Sequence, residues 1–228
     1  MADETSPSLT ERLRYFLWKR TPLKRKFSGI YRSGGFGGDG PRSGIGSSLE
    51  QTTHARQFLE GLLCRLKVRL FVDAPCGDFT WMRAVPLGGV RYLGIDVVPE
   101  VVAENVEKHA TPDRAFMLGD LRTVVLPAAD LVLCRDCLVH LSFADGASVL
   151  LNLRRSRSKW LLATTFPSLR ENRDIVTGGW RPTNLAIAPY AMGEPTEFLS
   201  ENPQSDIAEE RGKCLGLWRL GIDEASSG

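Results

Sequence analysis

The sequence predicts an α/β protein: a doubly wound, mostly parallel sheet of seven strands whose last two form an antiparallel pair at one edge. Short apolar and β-branched runs recur along the chain with helix-period patterns between them, which is how strands covered on both faces read. The first run, VRLFVDAP, stops at an acid and a glycine-bearing turn, where an open α/β sheet offers its ligand crevice. Near the end, PTEFLSE and KCLGLWRL are two strand-like runs close enough in sequence to pair with each other.

A strand-plus-helix unit needs roughly 30 residues. The 228 residues therefore suit one such domain, expected over 49–221, with a basic segment 1–48 before it and a short tail 222–228 after it. A formal charge of +2 gives the whole molecule no field that would favour nucleic acid. The charge is uneven, though. Residues 1–32 hold eight basic side chains against three acidic ones. The five cysteines are odd in number and scattered, and the N-terminus shows no apolar signal-peptide core, so a reducing cytoplasm is expected. No uninterrupted apolar run approaches the ~18 residues of a bilayer span.

Taken in order, residues 9–20 place Leu9, Leu13, Phe16 and Leu17 at helical spacing among Arg12, Arg14 and Lys19. This predicts a short basic amphipathic helix, laid on the domain or, less simply, on a membrane surface or acidic partner. Residues 34–48 hold seven glycines and one proline, the composition of a mobile linker or of a lid, with Arg42 within reach of a carboxylate. Ser47 and Ser48 stand three residues before Glu50 and Gln51 in a capping-box pattern, and a long helix is expected over Leu49 to Leu66. After the first strand, CGDFTWMRAV predicts a helix. RYLGIDVV, AFMLGD, ADLVLCRD and KWLLATTF predict four further strands, with helices over PEVVAENVEKHA and LVHLSFADGASVLLNLRRS.

The chemistry concentrates at the strand ends. Gly77 permits close backbone approach to a ligand, but the G-x-G-x-x-G of dinucleotide enzymes is absent. A carboxylate at Asp73 suits a positive centre such as an α-ammonium and would repel a pyrophosphate. Asp96 ends the second strand, where an acid accepts from both ribose hydroxyls. Asp120, after a third strand and a glycine, is placed to accept from an exocyclic amine. Each acid could instead cap a turn.

VDAPCGDF resembles the first motif of class I S-adenosylmethionine-dependent methyltransferases in a D-x-P-C-G variant; YLGIDVVPEVV resembles the second, and LGDL with ADLVLCRDCLVHL the third and fourth. The likeness runs from Leu66 to Phe166, and DCLVHLSF, TTFP and GGWRPTNL resemble a bacterial subgroup of the family. It implies S-adenosylmethionine as cofactor, with the methionine part beside Asp73, Ala74, Pro75 and Gly77, the ribose on Asp96 and the adenine at Asp120. Val97, Leu121 and Arg135 are counted as their neighbours in the cofactor site. Pro75 and Phe79 replace two glycines of the usual loop, which leaves its backbone path open.

Asp136 and His140 follow the fourth strand, where such enzymes face the transferred methyl, and are the candidate catalytic pair; the alternative is a helix cap and a satisfied polar side chain. Cys134, Cys137 and His140 are metal-ligand types without a fourth ligand nearby, so no metal is expected. The irregular segment 166–195 offers Trp180, Arg181, Asn184 and Tyr190 for stacking and hydrogen bonding to an acceptor, or simply for loop packing. The expected function is methyl transfer to an oxygen or nitrogen of a small-molecule or glycan acceptor, by a monomer or homodimer. A nucleotide-linked oxidoreductase on a related fold and a non-catalytic adaptor are the competing readings.

Overall fold

A computed structural model describes residues 21–35, 41–201 and 211–220. Its elements are α1 (Leu23–Arg32), α2 (Thr53–Arg65), β1 (Leu70–Asp73), β2 (Arg91–Asp96), α3 (Pro99–His109), β3 (Arg114–Leu118), β4 (Leu131–Cys134), α4 (Phe143–Arg155), β5 (Trp160–Thr165), β6 (Glu197–Ser200) and β7 (Cys214–Arg219). The sheet order is β3-β2-β1-β4-β5-β7-β6. Strands β1 to β5 run parallel, and β7 enters antiparallel between β5 and β6. This is the predicted seven-stranded sheet with its antiparallel edge pair. The helix expected over residues 9–20 and the tail 222–228 lie outside the described residues.

Alternation along each strand divides the core in two. Val72, Ile95, Val132 and Leu161 face one side, where α4 supplies Val149, Leu150 and Leu153 and α1 supplies Phe27 and Tyr31. Phe71, Tyr92, Leu131, Leu133 and Leu162 face the other, under Ala55, Leu59 and Leu62 of α2. Such two-sided burial explains why the strands read as near-continuous apolar runs. Among the described residues no helix is long and apolar enough to cross a membrane.

Three helical expectations need correction. After β1 the chain forms only a 3-10 turn at Met82–Ala84 rather than a helix. Phe79 sits at φ 59, and its ring lies edge-on to those of Tyr92 and Phe116, each 5.2 Å away, under the Arg114 guanidinium at 5.0 Å. That inserted aromatic breaks helical geometry, and Pro86, Gly88 and Gly89 follow too soon for it to resume. Helix α2 begins at Thr53, four residues late: the Ser48 hydroxyl accepts from the Gln51 N–H in the preceding turn. Helix α4 starts at Phe143, capped by Ser142, whose hydroxyl accepts from the Asp145 N–H. Asp136 and His140 therefore precede the helix, the latter in a 3-10 turn at Leu138–His140.

Candidate functional site

The strand order reverses between β1 and β4, and a cleft opens at the carboxyl ends of β1, β2 and β4. Asp73, Gly77, Asp96, Asp136 and His140 all line it. Its wall also includes Pro75, Val97, Leu121 and Arg135, so most of the expected cofactor positions converge on one space.

The loop after β1 is pinned to both neighbouring strands. The Ala74 N–H donates to the Leu133 carbonyl and the Cys76 N–H to that of Ile95, each at 2.9 Å, around a cis Ala74–Pro75 bond. Gly77, at φ 55, donates its N–H to Asp96 Oδ2 at 3.0 Å, while Asp96 Oδ1 accepts from the Val98 N–H at 2.9 Å. Asp73 Oδ2 accepts the Tyr92 hydroxyl at 2.7 Å. Burial pushes Asp73 up to about 7, against the opposing pull of that hydroxyl. It lifts Asp96 to about 6 although the Val98 and Gly77 N–H groups favour the anion. These are desolvated acids that a ligand bearing a cation and hydroxyl donors would relieve.

Asp120 is placed differently from the expectation. Gly119 and Leu121 line the cleft, but the Asp120 carboxylate turns to Arg122, which donates from Nε at 3.0 Å and from Nη2 at 2.6 Å. Arg122 also reaches Asp145 at 2.7 Å. Although burial opposes it, Arg122 keeps Asp120 below the usual carboxylate range. An exocyclic amine at this place would meet the Leu121 side of the loop first.

At the end of β4 stands a buried quartet of charges that sequence reasoning saw only half of. Arg135 donates to Glu201 Oε1 at 2.7 Å and to the Gly46 carbonyl at 2.8 Å, and lies 3.1 Å from Asp136 Oδ2. Lys213 Nζ donates to Asp136 Oδ2 at 2.7 Å and lies 3.1 Å from Glu201 Oε2. Glu201 is 0% exposed and Lys213 3%, while Asp136 alone is half-buried and faces the cleft. Burial opposes ionisation of Asp136, but Lys213 and Arg135 outweigh it and hold the carboxyl far below its ordinary range. Asp136 is thus a fixed anion and a poor base. His140 differs. Burial pushes its imidazole pKa down, and Nδ1 lies 2.8 Å from the Gly179 carbonyl, which makes Nδ1 the donor and Nε2 the basic nitrogen of the neutral ring.

The roof of the cleft comes from the segment before α2. Leu23, Phe27 and Tyr31 of α1 line it from above, joined by Ser43 and Ser47 of the glycine-rich segment. Ser43 clips this segment to the loop after β1: its hydroxyl accepts from the Asp78 N–H at 2.8 Å, and its own N–H donates to Asp78 Oδ2 at 3.2 Å. Arg42 lies over the Tyr31 ring at 5.5 Å. A Cβ on Gly77 would fall 2.6 Å from Ser43 Oγ. Gly77→Ala is therefore expected to cost about 1 kcal/mol in backbone strain and to raise amide exchange over residues 41–47, read by hydrogen-exchange mass spectrometry. Unchanged exchange there would mean that the clip does not hold the roof.

Of the acceptor-binding candidates, three are internal struts. The Arg181 guanidinium donates to the carbonyls of Arg173 and Leu138 and to the Thr183 hydroxyl, and stacks on Phe143 at 4.9 Å. Asn184 binds the Pro167 and Leu169 carbonyls, and Tyr190 is buried edge-on against Phe143. Trp180 is 41% exposed but does not line the cleft. The segment reaches the site indirectly, through the carbonyl of Gly179 on His140.

No family model and no curated protein matches the sequence. Solved structures do match. A 1,6-didemethyltoxoflavin N1-methyltransferase from Burkholderia thailandensis, with its substrate and S-adenosylhomocysteine bound, aligns with a TM-score of 0.61 at 15% identity, over 95% of this chain and 93% of its own. The N-methyltransferase NodS from Bradyrhizobium japonicum, with S-adenosylhomocysteine, gives 0.58 at 16% identity, over 83% and 97%. Human N-acetylserotonin methyltransferase, with S-adenosylmethionine, gives 0.51 at 18% identity over 89% of this chain, which spans 61% of that enzyme. The fold is the Rossmann-like fold of class I S-adenosylmethionine-dependent methyltransferases.

Proposed function

We propose that this protein is an S-adenosylmethionine-dependent methyltransferase acting on an oxygen or nitrogen of a small-molecule or glycan acceptor. The observation that carries the proposal is the meeting, in one roofed cleft at the strand reversal, of two desolvated carboxylates, Asp73 and Asp96, with an anionic Asp136 and a neutral His140. The donor set fits the cofactor: a buried acid for an ammonium, a second for ribose hydroxyls, and Val97, Val98 and Leu121 as apolar walls for a flat base. When bound, it supplies an electrophilic methyl on a sulfonium.

The chain's own residues hold and shield. Phe27, Tyr31 and Trp81 exclude water from above and beside the site. Asp136 offers a fixed negative charge to an acceptor's N–H or O–H, and His140 Nε2 takes the proton where the nucleophile must lose one. Five thiols, without a disulfide among the described residues, suit a reducing cytoplasm.

Calorimetric titration with S-adenosylhomocysteine and NAD tests the cofactor half of the reading; NAD binding with no response to the thioether ligand would refute it. The acceptor is sought by incubating the protein with labelled S-adenosylmethionine and fractionated metabolite or glycan extracts, followed by mass spectrometry. Affinity should also depend on pH in a set direction. Asp73 and Asp96 titrate near 7 and 6, and a cationic, hydroxyl-bearing ligand binds their ionised forms. S-adenosylhomocysteine should bind more tightly as pH rises from about 5.5 to about 7.5, by up to about tenfold per unit for each acid still titrating, and level off above. A flat profile would show that neither acid meets the ligand.

A further inference from the structure

The roof helix has a second face. Helix α1 reads LKRKFSGIYR and carries no acid. Phe27 and Tyr31 bury its inner side over the cleft, while Lys24, Arg25 and Arg32 are exposed on its outer side. These cations, with Pro22, Ser28 and Pro99, line a shallow groove between α1 and the start of α3. Glu100 of α3 pairs with Arg32, whose Nε donates to Oε1 at 2.7 Å. Lys24 and Arg25 stay exposed beside that pair.

The sequence just before α1 has the composition that an interfacial surface takes. Leu9, Leu13, Phe16, Leu17 and Trp18 are interleaved with Arg12, Arg14, Lys19 and Arg20. Cations together with Leu, Phe and Trp in one stretch favour a bilayer interface over a purely polyanionic partner, which would use the charges and leave the apolar residues without a role. With the molecule's total at +2, the excess of five positive charges in residues 1–32 is a local feature of the sequence, and Lys24 and Arg25 are its exposed members on α1.

We propose that the outer face of α1 docks the protein on an anionic phospholipid surface through Lys24 and Arg25. The inner face of the same helix lines the cleft through Phe27 and Tyr31, so docking would hold that roof against the lipid surface. This docking does not depend on the methyltransferase reading, and its test uses no acceptor.

The experiment is co-sedimentation of the full chain with vesicles of phosphatidylcholine alone and of equal parts phosphatidylcholine and phosphatidylglycerol. The expected result is binding to the anionic vesicles that weakens with added salt, little binding to the neutral ones, and a loss of about tenfold or more in the K24E/R25E double variant. The variant's thermal melt and S-adenosylhomocysteine affinity should match the parent, since neither side chain lines the cleft. Equal partition onto both vesicle types, no binding to either, or undiminished binding by K24E/R25E would overturn the proposal. Retention on heparin without vesicle binding would overturn it too, in favour of a soluble polyanion.

Discussion

Asp73→Asn is expected to raise the melting temperature of the unliganded protein near pH 8 and to remove most of its affinity for S-adenosylhomocysteine. An acid whose folded pKa lies above its ordinary value lends the fold stability at low pH, and loses it as pH rises through the folded pKa. For Asp73, near 7 against 3.8, ionisation at about pH 8 is a burden of roughly 4 kcal/mol by the usual conversion. Asparagine keeps the shape and an oxygen to accept the Tyr92 hydroxyl, and carries no charge to desolvate. The gain in melting temperature should shrink towards pH 5, where the parent acid is already neutral. In the liganded protein that gain is cut back, because a charge-assisted hydrogen bond worth about 1.5–3 kcal/mol is gone. Differential scanning fluorimetry at both pH values and calorimetry with the ligand read the two effects separately. A variant no more stable than the parent near pH 8 would show that burial does not strain Asp73; unchanged ligand affinity would remove it from the cofactor site.

Glu201→Ala should cost about 3–5 kcal/mol of folding stability, the range for leaving a buried ion-pair partner uncompensated. Arg135 and Lys213 both lean on this carboxylate, and neither has water to turn to. The double variant Glu201→Leu/Lys213→Met should lose less than the sum of its parts, since it removes one charge of each sign and leaves Arg135 with Asp136. Urea denaturation measures both. A cost under about 1 kcal/mol for Glu201→Ala would mean that the quartet behaves as a surface ion pair.

The sheet was legible because its strands are buried on both faces and so repeat as apolar runs, and the convergence of Asp73, Gly77 and Asp96 on one cleft because they lie at or next to strand ends, where sequence order and spatial order coincide. The helix after β1 was misread because TWMRAV has helical composition, while one residue, Phe79, is drawn into a cluster with Tyr92 and Phe116 from other strands. Glu201 and Lys213 were missed for a related reason. Each reads alone as a solvated charge, and their partners lie 66 and 77 residues away. A signal existed, since both charges directly abut the apolar strand runs EFLS and CLGLW. Arg181, Asn184 and Tyr190 show the converse ambiguity: residues that recognise ligands also tie an irregular segment together, as these three do through the carbonyls of Leu138 and Leu169 and the Phe143 ring, and composition does not separate the two uses.

The strand order at the sheet edge bears on how the chain is made. Since β7 lies between β5 and β6, a nascent chain emerging from the ribosome completes β6 before the strand that will hold it exists. Until residues 214–219 appear, the inner edge of β5, with Leu161, Leu162 and Ala163 destined for the core, stays open to pairing with any other extended segment. Lys213 arrives with that strand, so the sealing of that edge and the completion of the ion pairs around Asp136 are one event of synthesis. A stalled or prematurely terminated chain therefore carries both an aggregation-prone edge and an unfinished site, and protein quality control meets these two defects together.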